Sequence, residues 1–288
     1  MAIIALIIHV KNGLVETSGI WWIIFSGVLS CVAGCFVAKE IEADTLKKIF
    51  GKQRDPLPFE TGTVIEVGPG PGGVTRAILD NGAKHLTVIE KDERCLGLLS
   101  DIRTAYPDRL TVLNEDALKV SAETFGKAPR AIIANLPYNV GTLLLTGWLK
   151  KINDFSSLTL MFQKEVAERL TAAPKTEAYG RLSILTQWLC ETEILFTVPP
   201  SCFVPPPKVT SAVVFLKPRP HPLAGARIDL LEKVTAAAFN QRRKMLRSSL
   251  KSLGDSEALC AAANVAPTAR AEEIGIDAFC AMARFLEK

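Results

Sequence analysis

From residue 63 onward, short runs of aliphatic and β-branched residues alternate with amphipathic stretches, and each apolar run stops at a glycine or a polar residue. The run at 63–67, Thr-Val-Ile-Glu-Val, meets the cluster Gly68-Pro-Gly-Pro-Gly-Gly73 and then a helical stretch over 74–79. Further strands are expected at 86–90, ending on Glu90; at 110–113, followed by Asp116 and Ala117; and at 131–134, followed by Asn135-Leu-Pro-Tyr138. Strands of this length separated by helical segments predict an α/β domain with a mostly parallel sheet. In such sheets ligands bind beyond the carboxyl ends of the strands, which is where Gly68, Glu90, Asp116 and Asn135 fall.

The pattern differs at both ends of the chain. Residues 1–38 carry only Lys11 and Glu16 as charges, and 20–38 is an uncharged run of 19 residues. At about 1.5 Å per residue a helix there would extend roughly 28 Å, near the thickness of a hydrocarbon core. Its start lacks the basic residues of a signal peptide, so membrane contact is possible but a buried apolar or non-native segment is favoured. After Pro218, Pro220 and Pro222, which read as a linker, the region 233–254 holds six basic residues and no acidic one. Phe239, Leu246, Leu250 and Leu253 fit one helical stripe, with Lys244, Arg247 and Lys251 on a neighbouring face. The expectation is a helix packed on one side and positive on the other, with Arg242, Arg243, Lys244, Arg247 and Lys251 available to phosphates. The segment 163–169 reads instead as a mixed-charge helix surface with local pairing.

Composition narrows the class without choosing a function. With 288 residues, 48% hydrophobic and 22% charged, the chain is globular and long enough for two domains, and a net charge of +4 does not by itself indicate nucleic acid. Seven cysteines form no CxxC pair and His9, His85 and His221 are scattered, so a reducing compartment and no metal are expected.

The strand ends suit a nucleoside ligand. Glycines at 68 and 70 let the backbone approach it, Glu90 can accept from both ribose hydroxyls, and Asp116 from an adenine amine. The glycine loop alone fits a nicotinamide dinucleotide and S-adenosylmethionine equally. Asn135-Leu-Pro-Tyr138 decides between them, because the exocyclic amine of adenine is a poor nucleophile whose lone pair is delocalised into the ring. Methylation requires acceptors for its two hydrogens: the side-chain oxygen of Asn135 and the carbonyl of Leu136 or Pro137. Tyr138 can stack on the ring for roughly 1–3 kcal/mol.

Five motifs carry a family resemblance: Glu66-Val-Gly-Pro-Gly70, Asn135-Leu-Pro-Tyr-Asn139, Met161-Phe-Gln-Lys-Glu-Val-Ala-Glu-Arg169, Tyr179-Gly-Arg-Leu-Ser183 and Phe203-Val-Pro-Pro-Pro-Lys-Val-Thr-Ser-Ala212. Together, from about residue 41 to the C terminus, they resemble the bacterial-type small-subunit ribosomal RNA adenine N6,N6-dimethyltransferases. The resemblance implies a Rossmann-like, S-adenosylmethionine-dependent methyltransferase domain over 39–217 and a small helical, rRNA-binding domain over 218–288, behind the atypical segment 1–38. It implies dimethylation of two adjacent adenosines near the 3′ end of small-subunit rRNA by a cytoplasmic monomer. By motif, Gly68, Gly70, Glu90, Asp116, Ala117 and Asn135 would bind the donor, while Asn135, Leu136, Pro137, Tyr138 and Phe203 would frame the target adenine. Phe203 opens a Pro-rich loop, which suits a ring set against a splayed base better than a buried strand. The family's Gln-Asn-Phe-Leu motif, about thirty residues ahead of the glycine loop, has no counterpart here; its loss leaves a noncatalytic ribosome-assembly factor as the alternative.

Overall fold

The structure, a computed structural model, describes residues 59–287 apart from residue 205, together with the backbone of Val37–Ala38. The apolar run 20–38 and the region expected to hold the Gln-Asn-Phe-Leu motif otherwise lie outside the described residues. Among the described residues no helix is long and apolar enough to cross a membrane.

Seven strands form the central sheet: β1 (Thr63–Val67), β2 (Leu86–Ile89), β3 (Leu110–Leu113), β4 (Arg130–Asn135), β5 (Ser157–Gln163), β6 (Cys190–Val198) and β7 (Ser211–Pro218). Their spatial order is β3-β2-β1-β4-β5-β7-β6. The first five strands pair in parallel, and β7 runs antiparallel between β5 and β6. The four strands expected from the apolar runs are present to within a residue at each end. Every residue of β1 is buried, because helices cover both faces of a parallel sheet. Val64 packs with Ile78, Leu86, Leu99 and Ile102 on one face, whereas Ile65 and Val67 join Ile132, Leu158 and Leu160 on the other. That is the two-residue alternation of a strand.

Helices α1 (Gly73–Asp80) and α2 (Glu93–Ala105) follow β1 and β2, α3 (Gly141–Leu149) follows β4, and α4 (Lys164–Thr171) and α5 (Arg181–Leu189) lie between β5 and β6. The mixed-charge surface expected at 163–169 is α4, with Lys164–Glu168 and Glu165–Arg169 pairs both at 2.8 Å. The C-terminal part is helical, as expected: α6 (Ile228–Asn240), α7 (Leu246–Ser249), α8 (Ser256–Ala262) and α9 (Ile276–Phe285).

Two expectations need correction here. The Pro-rich stretch after residue 217 is not a free linker: Pro218 still belongs to β7, Arg219 N–H donates to Leu189 O at 2.8 Å, and Leu223 N–H donates to Trp188 O at 2.9 Å. Trp188 Nε1 returns a bond to Ala224 O at 2.7 Å, pinning the connection to α5. The single basic helix over 233–254 is broken as well. Gln241 leaves the helical region, Met245 bridges to Arg270, and Leu246 N–H donates to Ala269 O at 2.8 Å. The apolar stripe was read correctly as buried, since Leu246 and Leu250 are fully covered. Separate elements supply it: Phe239 from α6, Leu246 from α7, Leu250 at the end of α7 and Leu253 from the following 3-10 turn.

The helical part shares one continuous core with the sheet. Leu231, Val234, Ala238 and Phe279 cluster with Tyr179, Ile184 and Trp188. Tyr179 meets the edge of Phe239 at a centroid distance of 6.2 Å, and Phe239 lies 5.8 Å from Phe279. These rings tie the loop before α5 to α6 and α9. Tyr179 is fully buried and its hydroxyl has no hydrogen-bond partner among the described residues. A buried unpaired hydroxyl costs about 1–3 kcal/mol. Tyr179→Phe keeps the ring contacts and is expected to raise stability by about 1 kcal/mol in urea unfolding; a fall in stability would mean that the hydroxyl has a partner.

Candidate active site

The site begins where β1 stops. Gly68 N–H extends the ladder to Ile89 O at 3.0 Å, and Glu90 N–H does the same to Leu113 O at 2.9 Å, so the glycine loop and Glu90 stand side by side. The loop needs glycine for two separate reasons. At Gly72, which caps α1, φ is +88°, where L side chains are strained, and an added Cβ would lie 2.2 Å from Ile102 Cδ1, so that buried side chain would have to shift. At Gly70 φ is +53°, yet nothing lies within 4 Å of where a Cβ would stand. One glycine makes close packing possible, and the other leaves open space beside the backbone.

Glu90 faces this space. Its Oε2 accepts from Gly70 N–H at 2.9 Å and its Oε1 from Asp92 N–H at 2.8 Å. A carboxylate offers about four lone-pair sites, so each oxygen keeps one for a vicinal diol. Asn114, a residue the sequence reading missed, donates through Nδ2 to Glu90 O at 2.9 Å and holds the adjoining backbone. Asp116 Oδ1 accepts from Leu118 N–H at 3.0 Å, and Oδ2 pairs with Lys91 Nζ at 2.9 Å. The Lys91 ammonium, first among the causes, holds the Asp116 carboxyl below its usual range. Ala117 lies beside Asp116, half-buried against the core.

Glu66, known from sequence only as part of a motif, is buried beneath the loop with Thr75 Oγ1 donating to its Oε2 at 2.7 Å. Burial pushes its carboxyl up to about 8; the Thr75 bond opposes this and the nearby Glu90 charge adds to it. The acid is therefore mostly neutral at pH 7.

Across the crevice, Asn135 ends β4 and its backbone oxygen is 3.6 Å from where a Gly68 Cβ would stand. The turn after it engages one of the two candidate carbonyls. Pro137 O already accepts from Val140 N–H at 3.2 Å and Gly141 N–H at 3.0 Å, starting α3. Leu136 O is then the backbone acceptor left to a ligand, although the Leu136 side chain is itself core. Tyr138, half-buried, shares a hydrogen bond with Ser211 at 2.7 Å. Phe203 is the correction within the site. Only 2% exposed, its ring packs among Met161, Leu195, Val198 and Val213, so the position expected to be an open loop is a buried one. Its backbone forms a short pair of strands with Val37–Ala38, and burying an aromatic ring at the sheet edge outweighs the pull of a proline-rich loop toward solvent.

Comparison with known proteins agrees with this geometry. A family described as "Ribosomal RNA adenine dimethylase" matches residues 40–288. The chain belongs to the ribosomal RNA adenine dimethylase family. It is 58% identical over 229 residues to "Ribosomal RNA small subunit methyltransferase A" of Rhodospirillum rubrum, covering 80% of each chain. The protein of the same name from Paramagnetospirillum magneticum is 57% identical over 226 residues, covering 78% of this chain and 80% of that one. Among solved structures, the dimethyladenosine transferase of Plasmodium falciparum superposes with a TM-score of 0.71 at 24% identity, over 85% of this chain and 96% of that one, a likeness of fold. The 23S rRNA methyltransferase ErmE superposes at 0.59 with 27% identity, over 78% and 91%. This dimethylase-family chain thus carries its glycine loop and its Asn135–Tyr138 segment at the switch point of the sheet, where ligands of such folds bind.

The neutral state of Glu66 has a measurable consequence. Its pKa in the folded chain, about 8, stands above the ordinary 4.5, so its contribution to stability is complete below pH 4.5 and is lost as pH rises through about 8. Glu66→Gln is permanently neutral and keeps an acceptor for Thr75. It should match the parent protein near pH 4.5, then gain on it up to about pH 8 and level off. Urea unfolding across that range reads the difference; a difference independent of pH would show that Glu66 is ionised in the fold.

Proposed function

We propose that this chain transfers methyl groups from S-adenosylmethionine to the N6 atoms of two adjacent adenosines near the 3′ end of small-subunit rRNA. The observation that carries the reading is the placement of Asn135 and the Leu136 carbonyl opposite a glycine loop whose open side is bounded by the Glu90 carboxylate. When bound, S-adenosylmethionine supplies an electrophilic methyl group. The residues present suit that donor: Gly70 leaves room at the backbone, Glu90 retains acceptor sites for the two ribose hydroxyls, and Asp116, oriented by Lys91, lies at the next strand end for the adenine amine.

On the other side, Asn135 Oδ1 and Leu136 O accept the two hydrogens of the target amine and turn its lone pair toward the donor. Tyr138 stacks on the ring. No general base is required, because the methylated amine is strongly acidic while protonated and releases its proton to water. Catalysis is positioning and polarisation. Among the partners, small-subunit rRNA follows from family membership. Action as a monomer in the cytoplasm, and domain limits at 39–217 and 218–288, are parts of the proposal.

RNA affinity is assigned to the C-terminal basic residues with one adjustment. Arg242 bonds Glu272 at 2.7 Å and Thr176 O at 3.3 Å, which fixes it in a structural role, while Arg243, Lys244, Arg247 and Lys251 are exposed.

Two experiments test the proposal. With unmethylated small subunits and nucleoside mass spectrometry as readout, the parent protein should produce dimethyladenosine. Asn135→Ala should abolish it while donor affinity stays within about tenfold, roughly 1.4 kcal/mol, and Glu90→Ala should weaken the donor first. Identical profiles for the two variants, or activity confined to DNA, would refute the assignment. Neutralising Lys244, Arg247 and Lys251 together should lower subunit affinity and flatten its logarithmic salt slope by up to about 0.7–0.9 per lost phosphate contact, with methyl transfer at saturating subunit retained. An unchanged slope would place the RNA surface elsewhere.

A further inference from the structure

Tyr138 and Ser211 are 73 residues apart in sequence, and the fold brings their hydroxyl oxygens to 2.7 Å. We propose that Ser211 is a positioning residue for methyl transfer, its hydroxyl holding the Tyr138 ring in the orientation that stacks on the target adenine. This rests on reading 135–138 as the base-holding segment.

The two ends of the bond differ in what constrains them. Ser211 is fully buried at the first position of β7, where it pairs with Gln163 of β5 on one side and with Val198 of β6 on the other. Its Oγ is thus carried by a strand held on both sides. Tyr138 stands outside the strands. It follows Pro137 in the turn between β4 and α3, is half-buried, and turns about a terminal side-chain torsion that is broad for aromatic residues. The phenol oxygen lies on the axis of that torsion and far from Cα, so a bond there fixes χ1 and with it where the ring stands, while the in-plane preference of a phenol O–H biases the ring plane.

Ser211 also closes the connection that begins at Phe203, so the strand orienting the stacking ring is the one on which the Pro-rich loop ends. A half-exposed phenol would satisfy its hydrogen bond equally well with water. Its bond to a fully buried serine therefore does more than satisfy the group: it sets an orientation. An ordered ring matters for rate because misplacement by about 1 Å can cost on the order of 100-fold.

The test is a double-mutant cycle read in kcat, in KM for unmethylated subunits and in donor affinity. Ser211→Ala should lower kcat by about 10- to 100-fold, while KM and donor affinity change by less than about threefold, roughly 0.7 kcal/mol. Tyr138→Phe should do the same, and the double variant should be no slower than either single one. Ser211→Thr, which keeps the hydroxyl, should recover most of the lost rate. Additive losses in the double variant would overturn the inference, because the serine would then act independently of the tyrosine. An unchanged kcat in Ser211→Ala would also overturn it, and urea unfolding of that variant separates a folding defect from a kinetic one. Tyr138→Ala distinguishes the two levels of failure. If that variant methylates at the parent rate, the stacking role of Tyr138 falls too; if it is slow while Ser211→Ala is not, only the role of Ser211 falls.

Discussion

Val67 pairs with Ile89 on one side and with Ala134 on the other, so three neighbouring parallel strands stop at one level. The next residue on each is Gly68, Glu90 or Asn135: a backbone without a side chain, a carboxylate and an amide at the mouth of one crevice. A slip of one residue in any of these ladders would turn the terminal side chain to the opposite face of the sheet. The slip is prevented by burial, since Val64 and Ile65 pack on opposite sides of a strand that has no exposed face. The large, non-specific energy of the core thus sets a register, and the register sets the chemistry.

Electrostatics inside the crevice follow from what each acid finds to bond. Glu66, beneath the loop, takes up a proton because burial leaves its charge unsolvated. Glu90, also buried, faces the backbone N–H groups of Gly70 and Asp92, which occupy one acceptor site on each of its oxygens. Asp116 is wetter and has its own cation in Lys91. Three carboxyls at successive strand ends therefore serve different purposes. One supports the loop as a neutral group, one presents acceptors beside the loop, and one comes already paired with an ammonium.

Much of this was legible in the residues. The first four strands were readable because each is a short run of β-branched and aliphatic residues closed by a glycine or polar residue, and because parallel strands are buried on both faces. The glycine loop, Glu90 and Asn135 were readable for the same reason: they stand where those runs end. What escaped was everything decided by distant pairing. Ser211–Pro218 is apolar enough to be a strand, but its antiparallel place between β5 and β6 depends on partners far away in the chain. The bonds of Asn114, Lys91 and Ser211 to site residues arise only after the sheet is assembled. The exposure of Phe203 was misjudged because proline-rich neighbours suggest solvent, whereas the ring gains more by joining Met161, Leu195 and Val213. In the basic region the spacing of Leu246 and Leu250 correctly indicated burial, and a helical period cannot reveal a break at Gln241 when the next element presents its leucines to the same core.

On the proposed mechanism no general base is needed, and the arrangement of the site fits that. A reaction limited by the orientation of a weakly nucleophilic amine gains most from rigid acceptors, and rigid acceptors come most readily from backbone. Leu136 O is fixed because its own side chain is core, and because the following carbonyl, Pro137 O, is held by the first turn of α3. The side chains that must move least are likewise tied to the sheet, Asn135 by standing on β4 and Tyr138 through Ser211 on β7. The one reversed strand then has a physical purpose. Because β7 runs against its neighbours, its first residue, Ser211, pairs with the last residues of β5 and β6 and arrives at the catalytic end of the sheet, where a parallel strand would have delivered its last.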